Sequence, residues 1–203
     1  MSRRFLALGD SYTIGEGVAE AARWPMQLAT RLRAAGLAID DPQIIAVTGW
    51  TTDELATGMD DATFTPPYAL VTLLIGVNNQ YRGRDAADYR AEFRALLARA
   101  ITLAGDDTRH VLVVSIPDWG VTRFAREQGR DGSAIAVAID VFNAAAHAEA
   151  EHAGSHWIDI TAISRQCGDA AHMLATDGLH PSAVQYEHWL QRITPAARHA
   201  LAA

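Results

Sequence analysis

Near the amino end, the run "ALGDSYTIGEG" (residues 7–17) places Ser11 on a Gly-Asp-Ser turn between an apolar stretch and glycines. A serine hydroxyl attacks poorly until a base takes its proton, and that base needs an acceptor to orient it. "TDGLHPS" (176–182) supplies both groups. Asp177 and His180 are three residues apart, so on one tight turn the carboxylate can take Nδ1–H and leave Nε2 facing Ser11. Attack on a carbonyl also needs donors aimed at the oxygen that turns negative. The candidates are the Ser11 N–H, the Gly49 N–H in "VTGWTT", where a missing side chain permits close approach, and the uncharged Asn78 amide in "IGVNN".

These residues are far apart in the chain, so a fold must gather them. Five short apolar runs, 3–9, 43–49, 68–76, 109–117 and 156–161, read as strands, and the middle ones are nearly unbroken in apolar character, as strands buried on both faces are. Between and after them, 24–36, 85–105, 133–154 and 180–202 carry apolar residues at helical spacing. The first three of these stop at Gly36, Gly105 and Gly154. Pro195 is expected to kink or split the last helix, and Pro181 to open it. The alternation predicts an α/β fold: a three-layer α/β/α sandwich on a five-stranded parallel sheet, flavodoxin-like, forming one domain over 1–203. In such sheets ligands bind outside the carboxyl ends of the strands. Ser11, Gly49, Asn78 and Trp119 each follow a different strand, so they are expected at one mouth.

Composition narrows the function classes. Apolar residues make up 49% of the 203 and charged ones 20%, which suits a chain with a substantial core. The formal charge is −7 with no dense Lys/Arg cluster, so a nucleic-acid partner is not expected. No apolar run is long enough to span a membrane, and the start lacks a signal-peptide h-region, so a cytoplasmic protein is expected. Cys167, the single cysteine, reads as an inert core thiol.

Blander readings compete at several positions. Ser11 or Asp177 could simply cap a helix. His152 and His156 have helical metal spacing, but Gly154 breaks the helix between them, so no metal site is expected. Gly76 and Gly83 fit no phosphate-loop pattern, and Asp10 lacks the second carboxylate that a magnesium phosphotransfer site would use. Residues 118–132 read as a long polar loop on the rim, with Trp119 and Phe124 able to cover a substrate. Arg123, Arg126 and Arg130, with Arg82 and Arg84 opposite, could attract an acidic one.

Four blocks together resemble the SGNH, or GDSL-type, hydrolase family: Gly-Asp-Ser at 9–11, Gly49, Gly-x-Asn at 76–78, and Asp-x-x-His at 177–180. Tyr12 stands where the family has Leu, and Asn79 where the third block usually has Asp. The resemblance implies a serine esterase working through an acyl-enzyme. Ser11 would be the nucleophile, His180 the base, Asp177 its partner, and Ser11, Gly49 and Asn78 the oxyanion hole. Tyr12, Trp50, Trp119 and Phe124 are the expected cleft residues. The implied partners are a small soluble ester or thioester and water, with no metal or organic cofactor. Thioesterase, lysophospholipase and carbohydrate acetylesterase activity share this mechanism. Outside the class stands a catalytically silent ligand-binding domain.

Overall fold

In the computed structural model, which describes residues 3–202, five strands form one all-parallel sheet: β1 Phe5–Gly9, β2 Gln43–Ala46, β3 Leu70–Leu74, β4 Val111–Val114 and β5 His156–Ile158. Their order across the sheet is β2-β1-β3-β4-β5. Every residue of β1, β3 and β4 is buried, because helices cover both faces. Each leucine removed from water in this way stabilises the fold by about 1.5–3 kcal/mol. The edge strands β2 and β5 are only partly covered.

Nine helices lie within the described residues: α1 Ser11–Ile14, α2 Trp24–Ala34, α3 Thr52–Asp61, α4 Val77–Tyr81, α5 Ala86–Leu103, α6 Arg123–Glu127, α7 Gly132–Ala153, α8 Thr161–Cys167 and α9 Ala183–Ala202. The chain runs from β1 out to β2, then crosses back over β1 to β3. Right-handed crossovers therefore put α2 on one face and α3, α5 and α7 on the other. The packing agrees: α2 lies on α9, and α5 lies between α3 and α7. Glu149 of α7, 2% exposed, takes hydrogen bonds from Arg90 and Arg94 of α5 at 2.5 and 2.6 Å and joins those two helices.

Reversal of direction beside β1 makes the gap between the ends of β1 and β3 a topological switch point, where such sheets form their crevice. Each ladder ends sooner than its apolar run. Residues 47–49, 75–76 and 115–117 leave the sheet and enter the loops at its carboxyl edge. The periodicity also passes over the short helices of these loops, since four to seven residues carry too little pattern.

The last helix departs from expectation in two ways. It runs through Pro195 without a break, because burial of Trp189, Ile193, Ala197 and Leu201 on one face outweighs one missing hydrogen bond. It also begins at Ala183 rather than at Pro181. Pro181 pairs with Leu174 in an isolated bridge, and the Ser182 hydroxyl accepts the Gln185 N–H. Cys167 is half-buried on α8, with its sulfur 3.8 Å from His188 Nδ1, rather than in the core.

Candidate active site

Gly9 ends β1 and Asp10 caps α1, accepting the Tyr12 N–H at 3.0 Å, so Ser11 becomes the first helical residue rather than the cap. A first-turn N–H has no carbonyl to reach within its helix. Among the described residues, the Ser11 N–H has no hydrogen-bond partner. Burial drives the Asp10 carboxyl up from its ordinary value of 3.8 to about 7, against the pull of the nearby Tyr12, Asp10 and Gly76 N–H groups.

At the other end of the chain, Asp177 makes a tight turn on itself. Its Oδ1 accepts the Leu179 and His180 N–H groups at 2.9 and 3.0 Å, while Oδ2 lies 2.6 Å from His180 Nδ1. A carboxylate only accepts, so Nδ1–H is the donor of this bond, and Nε2 has no hydrogen-bond partner among the described residues. Burial would raise the Asp177 carboxyl, but the hydrogen bonds from His180 and Leu179 hold it below its ordinary value. Two oxygens thus serve two tasks, and the helix cap falls to Ser182 instead. Tyr12 meets the His180 ring edge-on at 5.6 Å and also packs on Trp189. The residue that replaces the family's Leu therefore buttresses the imidazole.

Ser11, Gly49, Asn78 and His180 line one cavity of about 190 Å³, completed by Tyr12, Thr48, Val77, Tyr81, Trp119, Phe124 and Leu179. Gly49 has φ +90°, which a side chain would resist, and its N–H is unpartnered among the described residues. The loop carrying Gly49 is gripped from α4. Asn78 Nδ2 donates to the Trp50 carbonyl at 2.8 Å, and Arg82, one helical turn on, donates to the Gly49 carbonyl at 2.7 Å. Asn79 accepts the Thr52 N–H at 3.1 Å and donates to the Thr52 hydroxyl at 2.6 Å, and Glu92 accepts a hydrogen bond from the Thr52 hydroxyl. An amide can donate and accept at once, so Asn79 braces this junction while Glu92 brings the carboxylate. Arg82 and Arg84 also pair with Glu54 and Asp53 at the start of α3. The bond from Asn78 to Trp50 uses one of its two amide hydrogens, and the other has no acceptor among the described residues.

The opposite flank is apolar. Asn143 of α7 makes paired hydrogen bonds with the backbone of Ile116, at 2.8 and 3.0 Å, as the chain leaves β4. Asp118, 2% exposed, then accepts the Gly120 N–H and pairs with Arg165 at 2.8 Å, which fixes the turn bearing Trp119. The segment predicted to be a loop is therefore structured. Phe124 N–H donates to Gly178 O at 3.0 Å and Arg123 donates to Thr176 O at 3.1 Å, tying α6 to the turn of His180.

Trp50 does not line the cavity. Its ring lies on Gly58 of α3, where a Cβ would stand 2.2 Å from the indole, and apolar contact in that slot outweighs a place on the cavity wall. The wall residues that sequence reasoning missed are Thr48, Val77, Tyr81 and Leu179. Val77 and Leu179 directly adjoin Asn78 and His180, which was a signal available in the sequence. Tyr81 could have been found one turn after Val77 had α4 been recognised. His152 lies in the last turn of α7 and His156 begins β5; among the described residues no group of three or more His, Cys, Asp or Glu is arranged to hold a metal ion. No helix there is long and apolar enough to cross a membrane.

Residues 7–188 match the model of the GDSL-like lipase/acylhydrolase family. The chain belongs to this family. It is accordingly a hydrolase acting on ester bonds. No curated protein matches the sequence. Among solved structures, the crystal structure of TesA is similar at 19% identity and TM-score 0.75, covering 98% of this chain and all of the other. The psychrotrophic esterase EstA from Pseudoalteromonas sp. is 14% identical at TM-score 0.74, with both chains fully covered. The acetyl xylan esterase AlAXEase is 18% identical at TM-score 0.71, covering 95% of this chain and 98% of its own. At such identities these likenesses speak to the shared α/β/α fold.

Proposed function

We propose that this GDSL-family hydrolase cleaves small carboxylic esters through an acyl-enzyme on Ser11. The observation that carries the reading is that Ser11, Gly49, Asn78 and His180 line one cavity, with His180 Nδ1 held by Asp177 and the Ser11 and Gly49 N–H groups without partners among the described residues. His180 takes the Ser11 proton as its oxygen attacks the ester carbonyl, and Asp177 stabilises the imidazolium. The N–H groups of Ser11 and Gly49 and the free amide hydrogen of Asn78 receive the oxyanion. His180 then protonates the leaving alcohol, activates water, and the acid departs.

Cavity size supports a short acyl group. The cavity is small, about 190 Å³, and walled on one side by Val77, Tyr81, Trp119, Phe124 and Leu179, which favours a short acyl group over a long chain. The test is hydrolysis of p-nitrophenyl esters from acetate to palmitate by native protein and Ser11→Ala, with fluorophosphonate labelling in parallel. Turnover with an optimum at or below about six carbons, lost with the label in Ser11→Ala, is the expected result. A native protein that neither turns over any ester nor takes the label leaves only the silent binding reading.

A further inference from the structure

Five arginines lie on the elements that carry the cavity wall, Arg82 and Arg84 just after α4 and Arg123, Arg126 and Arg130 on or just after α6, and four of them are already neutralised. Arg82 pairs with Glu54 at 3.2 Å, Arg84 with Asp53 at 2.5 Å, Arg123 with Glu127 at 3.6 Å, and Arg126 with Asp169. Among the described residues, Arg130 has no carboxylate partner and no side-chain hydrogen bond. Its guanidinium carbon lies instead 5.4 Å from the Tyr81 ring centroid and 5.3 Å from that of Trp119. Those rings are 5.3 Å apart, and both line the cavity.

We propose that Arg130, held over the Tyr81 and Trp119 rings, is an anion subsite at the rim of the cavity, so that the favoured substrates are small esters carrying a carboxylate. This rests on the esterase reading above and names its substrate class. A cation held over aromatic rings spends none of its N–H donors on a carboxylate, so they remain available to the two oxygens of a bound one. The position is also prepared. The Arg130 N–H donates to Ala125 O at 2.9 Å, and the next residue, Asp131, caps α7 by accepting the Ser133 and Ala134 N–H groups at 2.9 and 3.1 Å. The side chain thus starts from a held backbone and ends on two rings, so little freedom is lost when an anion binds. No internal ion pair has to break, as one would at any of the other four arginines. In a chain of net charge −7, an unpaired cation beside the cavity is also where a carboxylate meets the least repulsion.

Two measurements on the full chain test this, one through turnover and one through binding. For turnover, kcat/KM is compared between 3- and 4-acetoxybenzoate and the isosteric neutral acetoxybenzamides, in native protein, Arg130→Gln and Arg130→Lys. We expect the native carboxylate-to-amide ratio to exceed that of Arg130→Gln by about tenfold, the scale of one charge-assisted hydrogen-bonded pair. Arg130→Lys should restore part of it, and salt should lower the native ratio. For binding, calorimetric Kd values of the hydroxybenzoates against the hydroxybenzamides should show the same preference and the same loss in Arg130→Gln. A ratio that does not change between native protein and Arg130→Gln in both measurements overturns the subsite. If the neutral esters are turned over normally in that case, the esterase reading survives it. If no ester is hydrolysed but the binding preference disappears with Arg130, the subsite stands and the esterase reading falls.

Discussion

The two flanks of the cavity are built by different means. On one, residues 49–54 and 76–84 are laced together by hydrogen bonds from Asn78, Asn79, Arg82 and Arg84. On the other, Trp119, Phe124 and Leu179 present carbon to the cavity, joined by the Tyr81 ring, which reaches across from α4 to lie 5.3 Å from Trp119, and the polar anchors Asp118, Asn143 and Arg165 stand behind them. Hydrogen bonds fall off steeply with angle and distance, so donors that receive a developing charge need a stiff polar frame. Apolar contact depends on area rather than direction, so the second flank can set which groups fit while tolerating change. Substitutions on the first flank should therefore lower kcat, and those on the second should move KM and acyl preference.

The strongest test removes what both flanks serve. Ser11→Ala or His180→Ala should lower kcat with p-nitrophenyl acetate by about 10⁴-fold or more, and leave the folded structure intact by circular dichroism. On the polar flank, Asn78→Ala should cost about 10²- to 10³-fold in kcat with little change in KM. Arg82→Gln, which loosens the Gly49 carbonyl without touching substrate, should cost about tenfold in kcat. Inhibition by a phosphonate should weaken in parallel; an effect on KM alone would mean that Arg82 only shapes the entrance. Across the cavity, Phe124→Ala should widen the space and shift the acyl optimum to longer chains, with kcat for acetate falling by less than about threefold. An equal loss of kcat for all chain lengths would erase the distinction between the flanks.

The last contrast concerns stability, and it sets two buried carboxyls against each other. Asp10, raised by burial to about 7 from 3.8, binds its proton more tightly folded than unfolded, so its contribution is present at low pH and declines as pH rises from about 4 to about 7. Glu149 is held at about 2, chiefly by the hydrogen bond from Arg94, so its contribution is present above the ordinary glutamate value and is lost as pH falls from about 4.5 to about 2. Urea unfolding from pH 2 to 8 should show Asp10→Asn flattening the decline toward neutrality and Glu149→Gln flattening the acid limb. A decline toward neutrality that Asp10→Asn leaves intact would assign it to another group.

Much of the fold was legible because it is written in local patterns. β1, β3 and β4 are continuous apolar runs because they are covered on both faces, and Asp177 with His180 forms its turn from adjacent residues. The short helices were not legible. Trp50 illustrates a different failure, since its place beside Gly49 in the chain suggests a cleft residue, while the slot over Gly58 is visible only once α3 has folded back.

The sequence by itself determined the family blocks, the alternation of strand and helix, and which residue types were available to react, because each depends on residue identity and short-range spacing. Only the tertiary structure decided which of five rim arginines keeps its charge unpaired, which ring turns toward the cavity, and which carbonyls hold the donor loop. Those outcomes depend on competition between partners distant in sequence. A carboxylate such as Asp53 or Glu54 claims the arginine that folding brings within reach, and Arg130, brought to two aromatic faces instead, is left with its donors open.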